Sequence, residues 1–272
     1  MNQNNNIFSL NSKIFVITGG LGQLGQVFVE TVIKHGGKAI IFDIFDEDYY
    51  KQEFDNSSLK NSAYFKVDIT KKSEIEDAVE KCLNKFGRID VLINNAGLDS
   101  PPDAPEEEVG PFETYPESSF DKVMNVNVKG TLFCSQIIGG VMRKQKKGVI
   151  LNISSIYGML SPRQDIYKYR RKEGQKFFKP VAYSVSKSAI YNLTRYLATY
   201  WAKDNIRVNT LTLAGVFNNQ PKAFIDEFKK HVPLGRMLNP EEIKGPMLFL
   251  TTDASSYMTG ANLIFDGGWS AW

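Results

Sequence analysis

Tyr183 and Lys187 stand four residues apart in AYSVSKSAIYNLTRYLA (182–198), a run whose apolar spacing predicts a helix. Residues at that separation share one helix face, about a turn apart. A phenol in solution has a pKa near about 10 and is a poor acid or base at neutral pH. A cation about 4 Å away contributes up to about 4 kcal/mol at an effective dielectric near 20, equivalent to roughly three pKa units. The pair is therefore a candidate proton-transfer couple, with Tyr183 as acid/base and Lys187 as the charge that brings it into range. The spacing alone is shared by many surface pairs, so its weight depends on what the chain places beside it.

A second stretch with chemical potential is TGGLGQLG (18–25), which follows the β-branched run KIFVITGG (13–20) and leads into an apolar helical segment. A strand, a glycine turn and a helix start present backbone N–H groups to a pyrophosphate, and glycines permit close approach. Gly19, Gly22, Gln23, Leu24 and Gly25 are the candidate contacts. Asp43, 24 residues after Gly19, ends the run KAIIFDI. A carboxylate there accepts hydrogen bonds from the adenosine ribose and repels a 2′-phosphate, so the expected cofactor is NAD(H) rather than NADP.

The elements that must position these groups alternate along the chain. KIFVITGG (13–20), KAIIFDI (38–44), AYFKVDIT (63–70), IDVLINNAG (89–97), GVILNISS (148–155), IRVNTLTLAG (206–215) and NLIFDGG (262–268) read as seven strands, several of them apolar enough for burial on both faces. Helical segments lie between them, such as LGQVFVETVIKHGG, which stops at Gly36 and Gly37, and SEIEDAVEKCLNKFG, with Ser73 as N-cap. The expected fold class is α/β, a Rossmann-type doubly wound parallel sheet of about seven strands with helices on both faces. Its ligands bind at the carboxyl ends of the strands. The 272 residues are expected to form one domain, 1–272, with insertions at 98–119 and 161–180. No internal repeat or dividing linker interrupts them.

The two insertions have opposite character. Residues 98–119 carry seven acidic residues and no basic one, whereas SPRQDIYKYRRKEGQKFFKP (161–180) carries seven basic and two acidic residues. Each leaves the carboxyl end of a strand, so both are expected over the same rim. The basic stretch, interleaved with Tyr167, Tyr169, Phe177 and Phe178, could also suit nucleic-acid stacking. The formal net charge is only +3, and without this stretch the chain is slightly acidic, which disfavours general nucleic-acid coating. Cys82 and Cys134 have no disulfide or metal spacing, and His35 and His231 are too few for a metal cluster or a His-based triad. No signal-like or transmembrane run is visible, which makes a soluble, cytoplasmic protein without membrane or metal the expectation.

Further motifs fall in order along the chain: NNAG (94–97), NVKG (127–130), NISS (152–155), then YSVSK, PLGRMLNPEEI and LIFDGG. With these in series the chain resembles the short-chain dehydrogenase/reductase family, in its single-domain branch of about 250 residues. The resemblance implies that Tyr183 is the general acid/base and that Lys187 lowers its pKa and holds the nicotinamide ribose. It implies that Ser155 hydrogen-bonds the substrate oxygen, with Ser154 as the alternative, and that Asn127 positions a water relaying protons to the lysine. Asp68 and Ile69 match the adenine-contacting pair, and Asn95, Ala96 and Gly97 match the wall beside the adenosine ribose. Val216 joins the cofactor set from the loop after the sixth strand. Family members usually form homodimers or homotetramers, so a homo-oligomer is implied.

Three departures from the family pattern are visible. Gln23 occupies the second glycine position of T-G-x-x-x-G-x-G, a spacing closer to the longer, epimerase-like branch. Leu213-Ala214 replaces the Pro-Gly expected after strand six. Ser155 and Tyr183 are 28 apart where the family usually has about 13, so the basic segment is an insertion beside the active site. It becomes a wall or lid whose Arg163, Arg170 and Arg171 are candidate contacts for an anionic substrate. Charge pairing with the acidic segment is the competing role.

The expected activity is hydride transfer between NAD(H) and a hydroxyl or carbonyl carbon of a small anionic molecule, such as a sugar phosphate or nucleotide-linked sugar. RVNTLTLAGVFNNQ is similar to dehydrogenases of bacterial surface-sugar pathways. The alternatives are a dehydrogenase of a simple polyol or hydroxy acid, and a silent NAD-binding sensor or scaffold that would not need the Asn127, Ser155, Tyr183 and Lys187 set.

Overall fold

The computed structural model describes residues 6–99 and 106–272. Residues 100–105 of the acidic insertion, like residues 1–5, lie outside the described residues. Seven parallel strands form one sheet: β1 (Ile14–Thr18), β2 (Lys38–Asp43), β3 (Ser62–Lys66), β4 (Val91–Asn94), β5 (Gly148–Ser155), β6 (Ile206–Leu213) and β7 (Asn262–Phe265), in the order β3-β2-β1-β4-β5-β6-β7. All seven anticipated strands are present, but most stop short of the apolar runs that suggested them. The runs included the turn residues beyond, where the chain leaves the sheet to build the site.

The order reverses between β1 and β4, and a crevice opens at the carboxyl ends on either side of that point. Register aligns those ends: Thr18 sits opposite Phe42, Asn94 opposite Asn152, and Ser155 opposite Leu213, which in turn faces Phe265.

Helices cover both faces. In chain order they are α1 (Gln23–Lys34), α2 (Glu47–Glu53), α3 (Asn56–Asn61), α4 (Lys72–Phe86), α5 (Glu106–Val109), α6 (Glu117–Met124), α7 (Thr131–Gln145), α8 (Ile156–Met159), α9 (Lys168–Lys172), α10 (Val181–Trp201), α11 (Lys222–Phe228) and α12 (Lys244–Thr251). Strand pleating sends alternate side chains into two cores. Phe15, Ile17 and Ile41 pack with α1 and α12 on one face, and Val16, Ile40 and Phe42 pack with α4 and α7 on the other. Phe15, Phe28 and Phe42 are fully buried, and burying each such side chain contributes about 1.5–3 kcal/mol.

Two local expectations are corrected. Ser73 is not the N-cap of α4, which begins at Lys72. The Asp68 carboxylate accepts hydrogen bonds from the Thr70 backbone and hydroxyl, Glu74 reaches back to accept from the Asp68 N–H, and this turn starts the helix before Ser73. The aromatic residues of the basic insertion are not an open stacking surface: Tyr167 and Phe177 are buried in a third core with Val109, Ile156, Phe228 and Trp269. Cys82 and Cys134 are both buried, and burial pushes each thiol up to about 12. Among the described residues, no helix is long and apolar enough to cross a membrane, and no group of three or more His, Cys, Asp or Glu could hold a metal ion.

Candidate active site

Helix α10 starts immediately after Pro180, whose missing N–H costs nothing at a helix start. Tyr183 falls in its first turn and Lys187 one turn later, both toward β5. Lys187 is buried and its ammonium donates to the Ile153 carbonyl at 3.1 Å. Ser155, the last residue of β5, caps α8 and accepts from the Tyr157 N–H at 3.2 Å. Its hydroxyl also acts on the Tyr183 phenol in the lowering direction, against burial. Ser154 is committed elsewhere, donating to the Lys187 carbonyl at 3.0 Å. Of the two serines, Ser155 therefore has the geometry to share a substrate oxygen with Tyr183.

Asn127 lies in a six-residue π-helical stretch, Asn125–Gly130, between α6 and α7. Its side chain accepts from Leu98 N–H at 2.7 Å and donates to the Leu98 carbonyl and the Ser186 hydroxyl, both at 2.9 Å. It thus ties the segment after β4 to α10. A Cβ on Gly97 would lie 3.3 Å from the Asn127 oxygen and 3.4 Å from the Lys187 ammonium, so these two groups flank the same glycine.

Burial pushes the Tyr183 phenol well above its usual range, Asp99 pushes it further, and Ser155 opposes both. Burial lowers Lys187 to about 8, against an opposing effect of Asp99. The net push on Tyr183 is therefore upward, with burial as its largest cause, and the expected lowering by Lys187 does not prevail. A positive nicotinamide would act in the lowering direction.

The nucleotide half of the site fits a dinucleotide. Gly19 has φ +62, and a Cβ there would meet the Ala96 backbone at 2.8 Å; a Cβ on Gly25 would overlap the Gly19 carbonyl oxygen. Gly22, the N-cap of α1, has no side-chain cap, which leaves the first amides of the helix available to an anion. The buried Asp43 carboxylate accepts from Leu21 N–H at 2.9 Å and from Ile44 N–H at 2.8 Å, so it is held at the turn with lone pairs to spare. The Asn95 amide donates to the Thr18 and Gly19 carbonyls, and the Thr18 hydroxyl accepts from the N–H groups of Asn95 and Ala96. Ile69 packs where a Cβ on Gly130 would clash at 2.6 Å. When bound, the nicotinamide supplies or accepts the hydride.

The departure at Gln23 has a structural consequence. Its side-chain amide donates to the Phe217 carbonyl at 2.6 Å and joins the glycine turn to the loop after β6. In that loop Val216 bridges to Leu238, and Ala214 N–H donates to the Phe265 carbonyl.

A cavity of about 970 Å³ joins these parts. Ser155, Tyr183 and Lys187 line it together with Leu24, Asn95, Gly97 and Val216, and its outer wall includes Lys122, Arg170, Lys179 and Phe224. Of the three candidate arginines, only Arg170 lines the cavity. Its guanidinium stacks over Phe177 at 4.0 Å and donates to Gln175. Arg163 pairs with Asp165 at 2.9 Å, and Arg171 donates to the carbonyls of Phe177 and Gln164 at 2.8 and 2.7 Å. Arg171 is therefore a brace within the insertion. We predict that Arg171→Glu destabilises the fold by about 2–4 kcal/mol, read as a lower urea midpoint; an unchanged midpoint would remove that role.

The two insertions also meet. Phe178 N–H donates to the Val109 carbonyl at 2.7 Å, and Lys179 forms an ion pair with Asp99. Asp99, Lys179, Tyr157 and Tyr167 line the cavity, yet none was singled out as a site residue from the sequence. The available signals were modest: Asp99 follows NNAG by two residues, and Lys179 precedes Tyr183 by four.

Comparison with known proteins agrees with this geometry. The family model described as enoyl-(acyl carrier protein) reductase matches residues 23–270. The post-translational flagellin modification protein A of Campylobacter coli is 30% identical, covering 96% of this chain and 99% of that one. An NAD-dependent glycerol dehydrogenase of Listeria innocua is 32% identical over 97% of this chain and 96% of its own. Among solved structures, a short-chain dehydrogenase of Leptospira borgpetersenii with bound NAD+ superposes with a TM-score of 0.86 at 33% identity, covering 99% of this chain and 97% of that one. Ordered motifs, sheet topology and full-length similarity converge: the chain belongs to the short-chain dehydrogenase/reductase family of oxidoreductases.

Proposed function

We propose that this protein is an NAD(H)-dependent oxidoreductase that moves a hydride between the nicotinamide and a carbinol or carbonyl carbon of a small, polar, anion-bearing substrate. The observation that carries the reading is the convergence of Ser155, Tyr183 and Lys187 on one cavity, with Asn127 tied to its edge. Binding of a dinucleotide alone requires no phenol held beside a serine hydroxyl and a buried lysine, which disfavours a sensor or scaffold.

In the oxidising direction, Ser155 holds the substrate hydroxyl while Tyr183, as phenolate, takes its proton. In the reducing direction, Tyr183 returns the proton to the same oxygen. Lys187 holds positive charge beside the ring and stabilises the phenolate. Asn127 keeps Leu98 and α10 in register, so the lysine and the segment after β4 stay aligned.

The NAD preference rests on Asp43, and the NAD-dependent glycerol dehydrogenase and the NAD+-bound structure among the relatives accord with it. We predict that Asp43→Ala raises KM for NAD+ at least about ten-fold, about 1.4 kcal/mol, and narrows the gap to NADP+. If the unaltered enzyme turned over NADP+ as efficiently as NAD+, the preference would be wrong.

For the substrate, a sugar phosphate, sugar acid or nucleotide-linked sugar suits a cavity of this size whose cations are Lys122, Arg170, Lys179 and Lys187. The flagellin-modification relative accords with a role in the modification of a bacterial protein. A neutral polyol is the second reading, favoured by the glycerol dehydrogenase relative. The deciding experiment titrates matched charged and uncharged polyols against the NAD+-loaded enzyme, reading NADH formation. Turnover confined to uncharged polyols would overturn the anionic reading.

A further inference from the structure

Lys179 ends the basic insertion, and its head is drawn inward rather than into solvent. Its side chain is 8% exposed, and its ammonium lies 4.8 Å from the centre of the Tyr183 ring, compared with 5.8 Å for Lys187. A lysine that merely neutralised a surface loop would keep its ammonium in water and only its stem against apolar groups. Here the ammonium is buried on the cavity wall, over the ring of Tyr183.

Its partner, Asp99, is the neighbour a substrate anion would resemble. Asp99 is 51% exposed in its side chain, so water can reach its carboxylate. Its charge nonetheless reaches the centre of the cavity. After burial, which is the main cause in each case, Asp99 adds to the upward push on Tyr157, Tyr167 and Tyr183, and it opposes the downward push on Lys187. The Tyr157 hydroxyl is buried in the same wall, facing Tyr167 but without a formed hydrogen bond among the described residues. A buried hydroxyl in that state has a donor to offer.

We propose that Lys179 is the anchor for an oxyanion of the substrate, a carboxylate or phosphate close to the reacting carbon, and that Asp99 is an internal stand-in which the substrate displaces. Tyr157 donates to the same group. This rests on the reading of Ser155 and Tyr183 as the holders of the reacting oxygen, and it adds a specificity residue that this chain's insertions create together. Because Asp99 competes for Lys179, it lowers the apparent affinity for anions.

The test uses malonate and inorganic phosphate as probes of the intact chain, with and without NADH, reading saturable shifts in thermal unfolding. Asp99→Asn removes the competitor and is expected to tighten the preferred probe about five- to ten-fold. Lys179→Gln is expected to weaken it at least ten-fold, Lys179→Arg to retain it, and Tyr157→Phe to weaken it about three-fold. Preference for malonate identifies a carboxylate substrate, and preference for phosphate a phosphorylated one. Glycerol, as a neutral control, is expected to show no dependence on these variants. The proposal is overturned if Asp99→Asn binds neither anion more tightly than the unaltered protein, or if Lys179→Gln keeps full affinity. The titration without NADH is independent of hydride transfer. Loss of all turnover with this order of affinities intact would sink the catalytic reading alone, and turnover without the order would sink the anchor alone.

Discussion

Replacing Tyr183 by phenylalanine is expected to lower kcat by at least about 10³-fold, roughly 4 kcal/mol of transition-state stabilisation, while NADH binds within about three-fold of its normal affinity. The substitution removes one oxygen and keeps the ring. The ring also packs against the aromatic core of the basic insertion, with Tyr157 and Phe228 in the same cluster, so the fold should be retained. The loss belongs in kcat rather than KM because the missing phenolate is needed to take the hydroxyl proton when the substrate C–H bond breaks, not when the cofactor docks. Fluorescence titration of NADH and steady-state turnover separate the two. Residual activity within ten-fold of normal would falsify the assignment of the acid/base to Tyr183.

Lys187→Met is expected to abolish turnover to a similar degree and to make the protein more stable at neutral pH. The lysine is buried, its recorded acceptor is the Ile153 carbonyl, and burial lowers its pKa from 10.5 to about 8. Between about pH 8 and 10.5 the unfolded chain holds a proton that the folded chain has released, so stability rises with pH across that window. Below about pH 8 both states hold the proton, and the fold carries the full cost of a buried cation. Methionine has a similar length and no charge to bury. A gain of about 1–3 kcal/mol at pH 7, shrinking toward zero near pH 10.5, is the expected result in urea unfolding at several pH values. A destabilised variant, or a gain that does not fade with pH, would mean that the ammonium is held by more than one carbonyl and Asp99. The trade of stability for a charge beside the reacting group is common at active sites.

The basic insertion acquires a different meaning in three dimensions. In sequence it combines cations with aromatics, the composition of a nucleic-acid surface. Folding sends Tyr167 and Phe177 into a core, commits Arg171 to two carbonyls and Arg163 to Asp165, and turns Lys179 inward to Asp99. Arg170 is the candidate arginine that reaches the cavity. Charge pairing with the acidic segment is present at Lys179, which with Arg170 also lines the cavity, so pairing does not take the segment away from the active-site wall.

What the sequence alone determined is what local geometry encodes. Four-residue spacing on a helix puts Tyr183 and Lys187 on one face whatever surrounds them, and a glycine turn between a strand and a helix exposes amides by backbone stereochemistry. Apolar runs alternating with amphipathic ones dictate a buried parallel sheet, whose strand ends then carry Asp43, Asn94 and Ser155 to one rim. What only the tertiary structure decided depends on partners far away in the chain. Gln23 stands at a glycine position and ties to Phe217, 194 residues on, and Lys179 meets Asp99 across 80 residues. Neither pairing leaves a periodicity or a motif, because loop side chains take their direction from whichever distant group satisfies them. The proposed proton-transfer couple was therefore visible in the spacing of a helix, whereas the wall proposed to select its substrate emerged only where two oppositely charged insertions meet at one cavity.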